Sequence, residues 1–558
     1  MVFMNLIRPK IKESFNKKNV IFSSVFGFLM GLSFVLGYQL ERYGMTLPGV
    51  LGKAKIISYS FLLMLPIGLV ACFLFTFFGN LEYRIKSDVR PLSFFLISFI
   101  SIVICRIPVF LAYSPAVMSY DFGRQITEAI KGHVWFWDYQ PLIHTELIRI
   151  FYLIGLRLGS IEIGMALLSV FQILVLSAVM AYSASLVVRI TRSPATGIVL
   201  SVIYALLPIH GLINVIMTKD VLFGAFFLLF ICLIYERTLK KNIWIDIAII
   251  LTAVLANMFR KNSVYAMCFL IIGFLFYERS LKEKIKSAAL ICICVAMSLL
   301  CQKAMVEGFD VIRGSNKEMY SVPMMQFMRT YELQKDNLTP EQYEMINRVL
   351  PLENEYLHYD PYFADSVKNN LSDRVNLWEG SPAGFSHEWF ALFKAYPNDF
   401  IDAFLFLNKG YWYLPDRVYA EVLGVGAEGG KGLLHTYNHT YEIEELDGGI
   451  EETVYAPHVR RLYEKIINEN GFFKWPVLNL LFRPAFYFWI LIFSVFLSIY
   501  RKNHKGLCLV LYPLFYMATL FLGPLVYLRY MYPLILAVPV LLGISLDNLP
   551  PKTSKKEK

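Results

Sequence analysis

The stretch LIHTELIRIFYLIGLR, residues 142–157, decides how this chain is threaded. It is apolar enough for a membrane span and polar enough for a surface helix. Charge elsewhere arbitrates. Twelve other apolar runs have the length of a span, at 20–38, 56–79, 92–112, 161–188, 195–213, 219–236, 243–258, 263–277, 286–305, 477–499, 506–522 and 529–546. With these twelve, the basic clusters all fall on one side. They are the N-terminus (Arg8, Lys10, Lys12, Lys17, Lys18), Arg84/Lys86/Arg90, Arg189/Arg192, Arg237/Lys240/Lys241, Lys282/Lys284/Lys286, Arg501/Lys502/Lys505 and the tail LPPKTSKKEK. Positive loops mark the cytoplasmic side. A further span at 142–157 moves every later basic loop across. The expectation is therefore a short helix at the outer surface or dipping into the interface. The chain reads as an α-helical polytopic membrane protein of about 12 transmembrane helices, with both termini cytoplasmic.

Composition agrees. Hydrophobic residues make up 56% of the 558, charged residues only 17%. That is more apolar than a soluble domain. Met1 to Asn19 is basic and Val20 to Tyr38 apolar, as in a signal peptide. No small-residue cleavage site follows, so it reads as a retained first helix. All eight cysteines lie in apolar segments, which excludes a disulfide framework, and no Cys-x-x-Cys spacing occurs. The net charge of +10 is split. The region from about 307 to 476 is acidic by about a dozen charges, and the rest is basic in short loops. Basic short loops set topology and do not imply nucleic acid.

Working outward from 142–157, the segment Ser119 to Thr145, SYDFGRQITEAIKGHVWFWDYQPLIHT, becomes a loop on the extracytoplasmic face. It holds Asp121, Arg124, Glu128, His133, Asp138 and His144. Ionisable residues at the membrane edge are costly and are functional candidates. Asp121 is either a general base, its pKa raised near apolar surface, or a cap for the helix opening at Phe122. His144 is an acid, base or ligand, or a structural histidine. Asp138 and His144 offer two ligands to a divalent ion, too few to define a metal site.

Later turns on the same face add cations. Lys219 and Asp220, in NVIMTKDVLFG, open a span, where the lysine binds an anionic lipid phosphate or merely snorkels. Arg260, Lys261 and Asn262, in NMFRKNSVY, depart from the positive-inside trend. Arg529, in GPLVYLRYMYP, is another cation at a membrane edge. Guanidinium groups grip phosphate by paired hydrogen bonds. The domain at 307–476 is expected to be folded and mainly helical. Its SVPMMQFMR (with Arg329), YDPYFADSVK and GFSHEWF (with His387) set aromatics beside polar groups, as in sugar binding or ordinary core packing. Gly424 to Gly432 reads as a loop without a Walker pattern. Asn337, Asn370 and Asn438 lie in N-x-[ST] sequons.

These pieces, in this order, resemble the GT-C superfamily of polytopic bacterial glycosyltransferases, in a branch known mainly as membrane proteins. SYDFGRQ and QPLIHT match the first outer loop, TKD the next outer helix start and FRKNSVY the following turn. SVPMMQFMR and DPYFADSVK match the outer domain, and GPLVYLRYMYP the last span. The resemblance covers most of the chain from about residue 92. It implies two extra N-terminal helices (1–91), a GT-C-like module (92–306, first outer loop 113–160), an outer domain (307–476) and three C-terminal helices (477–558).

It also implies a function in the bacterial cytoplasmic membrane. A sugar passes from a polyprenyl-phosphate donor to an envelope glycan, polymer or lipid on the extracytoplasmic face, with membrane lipids as partners. Asp121 is the implied catalytic base, and His144, read from its place in the loop, is the next catalytic candidate. Lys219, Arg260 and Arg529 are the implied donor-phosphate ligands, and Arg124, Asp138, Asp220, Asn262, Arg329 and His387 further substrate contacts. No cofactor is required by the residues, although a divalent cation is compatible with them. The family's paired acidic residues are absent, because Asp121 is followed by Phe122. Alternatives are a polysaccharide polymerase or ligase using lipid-linked oligosaccharide, and a transporter or flippase of lipid-linked glycans. The mid-span segments, nearly free of charge, favour a one-sided enzyme over a transport path.

Overall fold

The structure is a computed structural model and describes residues 15–47, 52–79, 90–314, 317–368, 382–416, 449–467 and 475–547. Arg8, Lys10, Lys12, Arg84, Lys86, Asn370, Asn438, Gly424–Gly432 and the basic tail lie outside the described residues.

The described chain is almost wholly helical. It opens with α1 (Lys17–Tyr43), α2 (Gly52–Gly79) and α3 (Pro91–Ala112). A short strand β1 (Val117–Met118) leads into α4 (Tyr120–Lys131) and α5 (Leu142–Leu158). Then come α6 (Ile161–Thr191), α7 (Pro194–Leu206), α8 (Pro208–Val215), β2 (Ile216–Met217), α9 (Lys219–Leu239), α10 (Ile243–Phe259), α11 (Ser263–Tyr277) and α12 (Leu281–Gly308). The polar domain supplies α13 (Ser321–Gln334), α14 (Pro340–Val349), α15 (Asp365–Lys368), α16 (Pro382–Ala395), α17 (Pro397–Leu407), α18 (Lys409–Trp412) and α19 (Pro457–Ile467). The chain closes with α20 (Pro476–Leu481), α21 (Pro484–Tyr500), α22 (His504–Leu520) and α23 (Leu528–Ser545).

Seven of these helices (α1, α2, α3, α6, α9, α12 and α23) are long and apolar enough to cross a membrane. Their outward faces carry bare apolar side chains, such as Leu62, Leu65, Leu92 and Ile97. Water would penalise such a surface and a bilayer would not, so this is an α-helical membrane protein. The stretch that decides the threading, 142–157, forms α5, outside that set of seven.

Two expected spans are broken instead of continuous. The run 195–213 splits into α7 and α8, bent by 52°. Pro208 has no amide N–H and forces Leu207 into an extended conformation (ψ 120°). The run 477–499 splits at Phe482–Arg483, again just before a proline. The first break explains a residue that an apolar reading of 92–112 passes over. Arg106 of α3 is 2% exposed. It donates to Tyr204 O and, at 3.0 Å, to Ala205 O, carbonyls at the α7 end that Pro208 leaves short of donors. In span interiors expected to be nearly free of charge, Arg106 is an exception, because a broken helix needs a donor inside the bundle.

α9 and α23 are the most deeply buried spans. A Cβ on Gly224 of α9 would lie 3.0 Å from Leu536 and 3.3 Å from Tyr532 of α23, so the missing side chain lets them close. The polar domain has its own core of Met324, Met325, Phe327, Phe400 and Leu407.

Candidate functional site

β1 and β2 form a two-stranded parallel ladder, Val117 beside Ile216 and Met118 beside Met217. The chain leaves each strand into a helix, through Ser119 to α4 and through Thr218 to α9. Ser119 Oγ donates to Met217 O at 2.6 Å, which ties the two exits together. This register sets Asp121 beside Lys219, residues far apart in sequence. The N-terminal ends of α4 and α9 therefore lie side by side, and helix N-termini favour negative charge. α23 adds Arg529 from its first turn.

Around Asp121 Oδ2 stand Lys219 Nζ at 3.6 Å and Arg529 Nη1 at 3.3 Å. Lys219 also donates to Gln140 Oε1 at 2.6 Å. Next to this group, Arg260 Nη1 meets Asp220 Oδ1 at 2.7 Å and donates to Tyr516 Oη at 3.1 Å. Tyr530 links the two halves: its ring centre is 4.5 Å from the Arg260 guanidinium carbon and 5.3 Å from that of Arg529. Among the described residues three cations thus face two carboxylates, leaving one positive charge in excess.

Burial opposes ionisation of Asp121, but the Arg529 and Lys219 cations outweigh it and hold its carboxyl well below the usual range. The raised pKa expected from apolar surroundings is reversed because folding brings both cations to it. His144 is fully buried. Its Nδ1 lies 2.9 Å from Gln125 Oε1, and Gln125 Nε2 donates to Thr145 at 3.1 Å. Burial and then Lys219 push its pKa down to about 3, against the pull of Asp121. The ring is neutral at pH 7, and its Nε2 has no partner among the described residues.

The other expected contacts divide. Asp220 and Arg260 belong to the cluster. Asn262 donates to Thr519 at 2.9 Å, and its Oδ1 is buried without a partner among the described residues. Asp138 sits on the flanking loop, accepting from Gly314 N at 2.7 Å through Oδ1 and from Lys261 Nζ at 2.8 Å through its carbonyl. Arg124 is largely exposed on α4, 3.3 Å from Glu128. Arg329 is buried in the polar domain, where it binds Gly44 O at 2.6 Å and faces Asp402 at 3.6 Å. His387 is exposed on α16, in a groove of about 690 Å³ with Phe385, Trp389 and Lys394. Neither Arg329 nor His387 joins the Asp121 cluster.

Sequence reasoning left out Gln140, Tyr516 and Tyr530, which bind the cations. Gln140 precedes Pro141 in a stretch otherwise read for its histidine. Glu128 was a candidate only by its place in the outer loop. Burial pushes its carboxyl up to about 7, against the Trp137 amide and Arg124. Among the described residues no three His, Cys, Asp or Glu side chains gather as a metal site.

Fold and site together define an α-helical membrane protein with a charged centre at the N-terminal ends of its two central spans. Over residues 131–557 the chain matches the family described as "Family of unknown function (DUF6020)" and belongs to that family. No curated protein and no solved structure matches it.

Proposed function

We propose that this protein is a membrane glycosyltransferase of GT-C type, and that the Asp121–Lys219–Arg529 cluster is its centre. The observation that carries the reading is the stand-off geometry of that cluster. Two cations hold one carboxylate oxygen at 3.3 and 3.6 Å, beside two helix N-termini. Such a centre binds a phosphate and has a carboxylate next to it.

The chemistry follows from exchange of counter-ions. The phosphate of a polyprenyl-phosphate sugar takes Lys219 and Arg529 from Asp121. Losing those cations and gaining a neighbouring anion both raise the carboxyl's pKa. Asp121 then accepts the proton of an acceptor hydroxyl. That oxygen attacks the anomeric carbon, the bond from this carbon to the phosphate oxygen breaks, and polyprenyl phosphate leaves with the electron pair. A single displacement inverts configuration. Lys219, Arg529 and Arg260 stabilise charge developing on the leaving phosphate. In this reading the chain has about 12 transmembrane helices, its termini face the cytoplasm of a bacterium, and the cluster faces outward toward an envelope glycan, polymer or lipid acceptor.

The test is sugar transfer in reconstituted membranes, given a panel of polyprenyl-phosphate sugars and a crude envelope acceptor. Wild type should transfer, and Asp121→Asn should lose about 10²- to 10⁴-fold with donor binding intact. Equal rates would remove Asp121 as the base. No transfer by folded wild type with any donor would remove the enzyme reading in favour of lipid-linked glycan transport. Transfer only from oligosaccharide donors would make it a polymerase or ligase.

A further inference from the structure

We infer that α4 and residues 136–140 form a second subsite, for a neutral sugar ring of a glycan at least two rings long, through Arg124, Glu128 and Trp137. Calling that glycan the acceptor rests on the transferase reading; glycan binding itself does not.

The two walls run alongside each other. On α4, Asp121 and Glu128 are seven residues apart, which spans about 10 Å along a helix. The loop is compact, with Asp138 and Tyr139 in a turn and Gln140 in a bend. At one end of the loop, Gln140 binds Lys219 at 2.6 Å. At the other, the Trp137 amide donates to Glu128 Oε2 at 3.3 Å. One wall pair therefore begins at the charged centre and ends at a different kind of site. The rise of about 10 Å from Asp121 to Glu128 along α4 exceeds the width of one sugar ring, so a ligand touching both ends has more than one.

The far end has the groups that recognise sugars. The Trp137 and Tyr139 rings are parallel to within 8°, with centroids 5.7 Å apart. The Arg124 guanidinium carbon lies 5.0 Å from the first centroid and 5.1 Å from the second. Indole faces stack on sugar C–H groups, and guanidinium N–H groups donate to hydroxyls. Arg124 keeps 42% of its side chain exposed, and among the described residues only its Nε is hydrogen-bonded, to Glu128 at 3.3 Å. Among the described residues both Glu128 oxygens, on a side chain 5% exposed, are held only by contacts of 3.3 Å, leaving lone pairs for hydroxyl donors. With its carboxyl pushed up to about 7 by burial, Glu128 donates as well as accepts near neutrality.

The platform is braced from behind. Gly314 N is held by Asp138 Oδ1 at 2.7 Å, and a Cβ on Gly314 would fall 2.4 Å from the Tyr139 ring. Gly314 lets the backbone lie against that ring, and Asp138 pins it there. This gives Asp138 a supporting place beside the sugar, not a contact with it.

The experiment is calorimetric titration of the full chain in nanodiscs free of glycoside detergent. The probes are chitotriose, maltotriose and mannotriose, with the matching methyl monosaccharides. At least one trisaccharide should bind more than tenfold tighter than its monosaccharide. Trp137→Ala and Arg124→Ala should each weaken it tenfold or more at unchanged thermal midpoint, while Trp137→Phe should stay within about threefold, because stacking survives. Absence of binding for all three trisaccharides, equal binding by Trp137→Ala, or monosaccharides binding as tightly would each overturn the subsite. Trisaccharide binding in a protein that transfers no sugar would keep the subsite and remove the transferase.

Discussion

Asp121 and Asp402 are both carboxylates facing an arginine, yet their surroundings differ in one respect that separates a site from a strut. Asp402, in the polar domain, accepts from Thr46 Oγ1 at 2.5 Å and from the Thr46 amide at 3.2 Å, and has one cation, Arg329, at 3.6 Å. The same Nη2 of Arg329 donates to Gly44 O at 2.6 Å and its Nη1 to Tyr359 Oη at 3.4 Å, while its Nε is buried without a partner among the described residues. Nearby, Lys409 lies between Glu41 at 3.0 Å and Asp416 at 3.1 Å. These contacts bind the α1–α2 hairpin to the polar domain, and among the described residues three carboxylates (Asp402, Glu41 and Asp416) face two cations, so no positive charge is in excess. Burial keeps the Asp402 carboxyl above its usual range despite its donors. Asp121 has two cations and stays firmly ionised below it. Buried charge is costly unless paired, so a cluster with surplus positive charge is explained by an anion that comes from outside.

Three measurements bear on that contrast. The largest effect belongs to the cations of the centre. Lys219→Gln and Arg529→Gln should each reduce transfer by about 10²- to 10³-fold, as for a lost electrostatic donor, while the thermal midpoint holds. A pure loss of stability would make the centre another strut. The second is at the strut. Asp402→Ala leaves Arg329 buried without its carboxylate and should destabilise by about 3 kcal/mol, read by thermal unfolding. Transfer per folded molecule should not change; a collapse in specific activity would erase the distinction.

The third effect is smaller and lies beside the Asp121 centre, on α4. The Glu128 pKa, about 7, is raised above its ordinary 4.5. The folded state therefore binds the extra proton. Its contribution is fully present below about pH 4.5 and is lost as pH rises through 7, on the order of 3 kcal/mol at most. Thermal midpoints of Glu128→Gln should vary less than wild type between pH 5 and 8. Asp121 acts in the opposite sense, losing its contribution only on acidification below its usual range, so the two windows do not overlap. An unchanged slope in the variant would place the titration elsewhere.

Much of the fold was legible because apolar length is a local property. α1, α2, α3, α6, α9, α12 and α23 each announce themselves as an unbroken run. The breaks before Pro208 and Pro484 were written in the sequence too, but hydropathy averages over a proline. Arg106 was hidden in the same way, a single cation in an apolar window. Its meaning lies in carbonyls that a proline about a hundred residues later sets free.

The sequence by itself determined the membrane-embedded helices, the helical polar domain and a set of ionisable residues near helix starts: Asp121, Lys219, Asp220, Arg260 and Arg529. Only the tertiary structure decided which of them share a site. The β1–β2 register joins Asp121 to Lys219, and the packing of α9 on α23 brings in Arg529. The same folding assigns Arg329 to a strut and leaves His387 on a separate groove. It also reversed the expected pKa of Asp121 and raised that of Glu128. Hydrophobicity is summed along the chain and can be read there. Charge acts through space, and its sign and strength at any atom depend on neighbours that only the packed structure supplies.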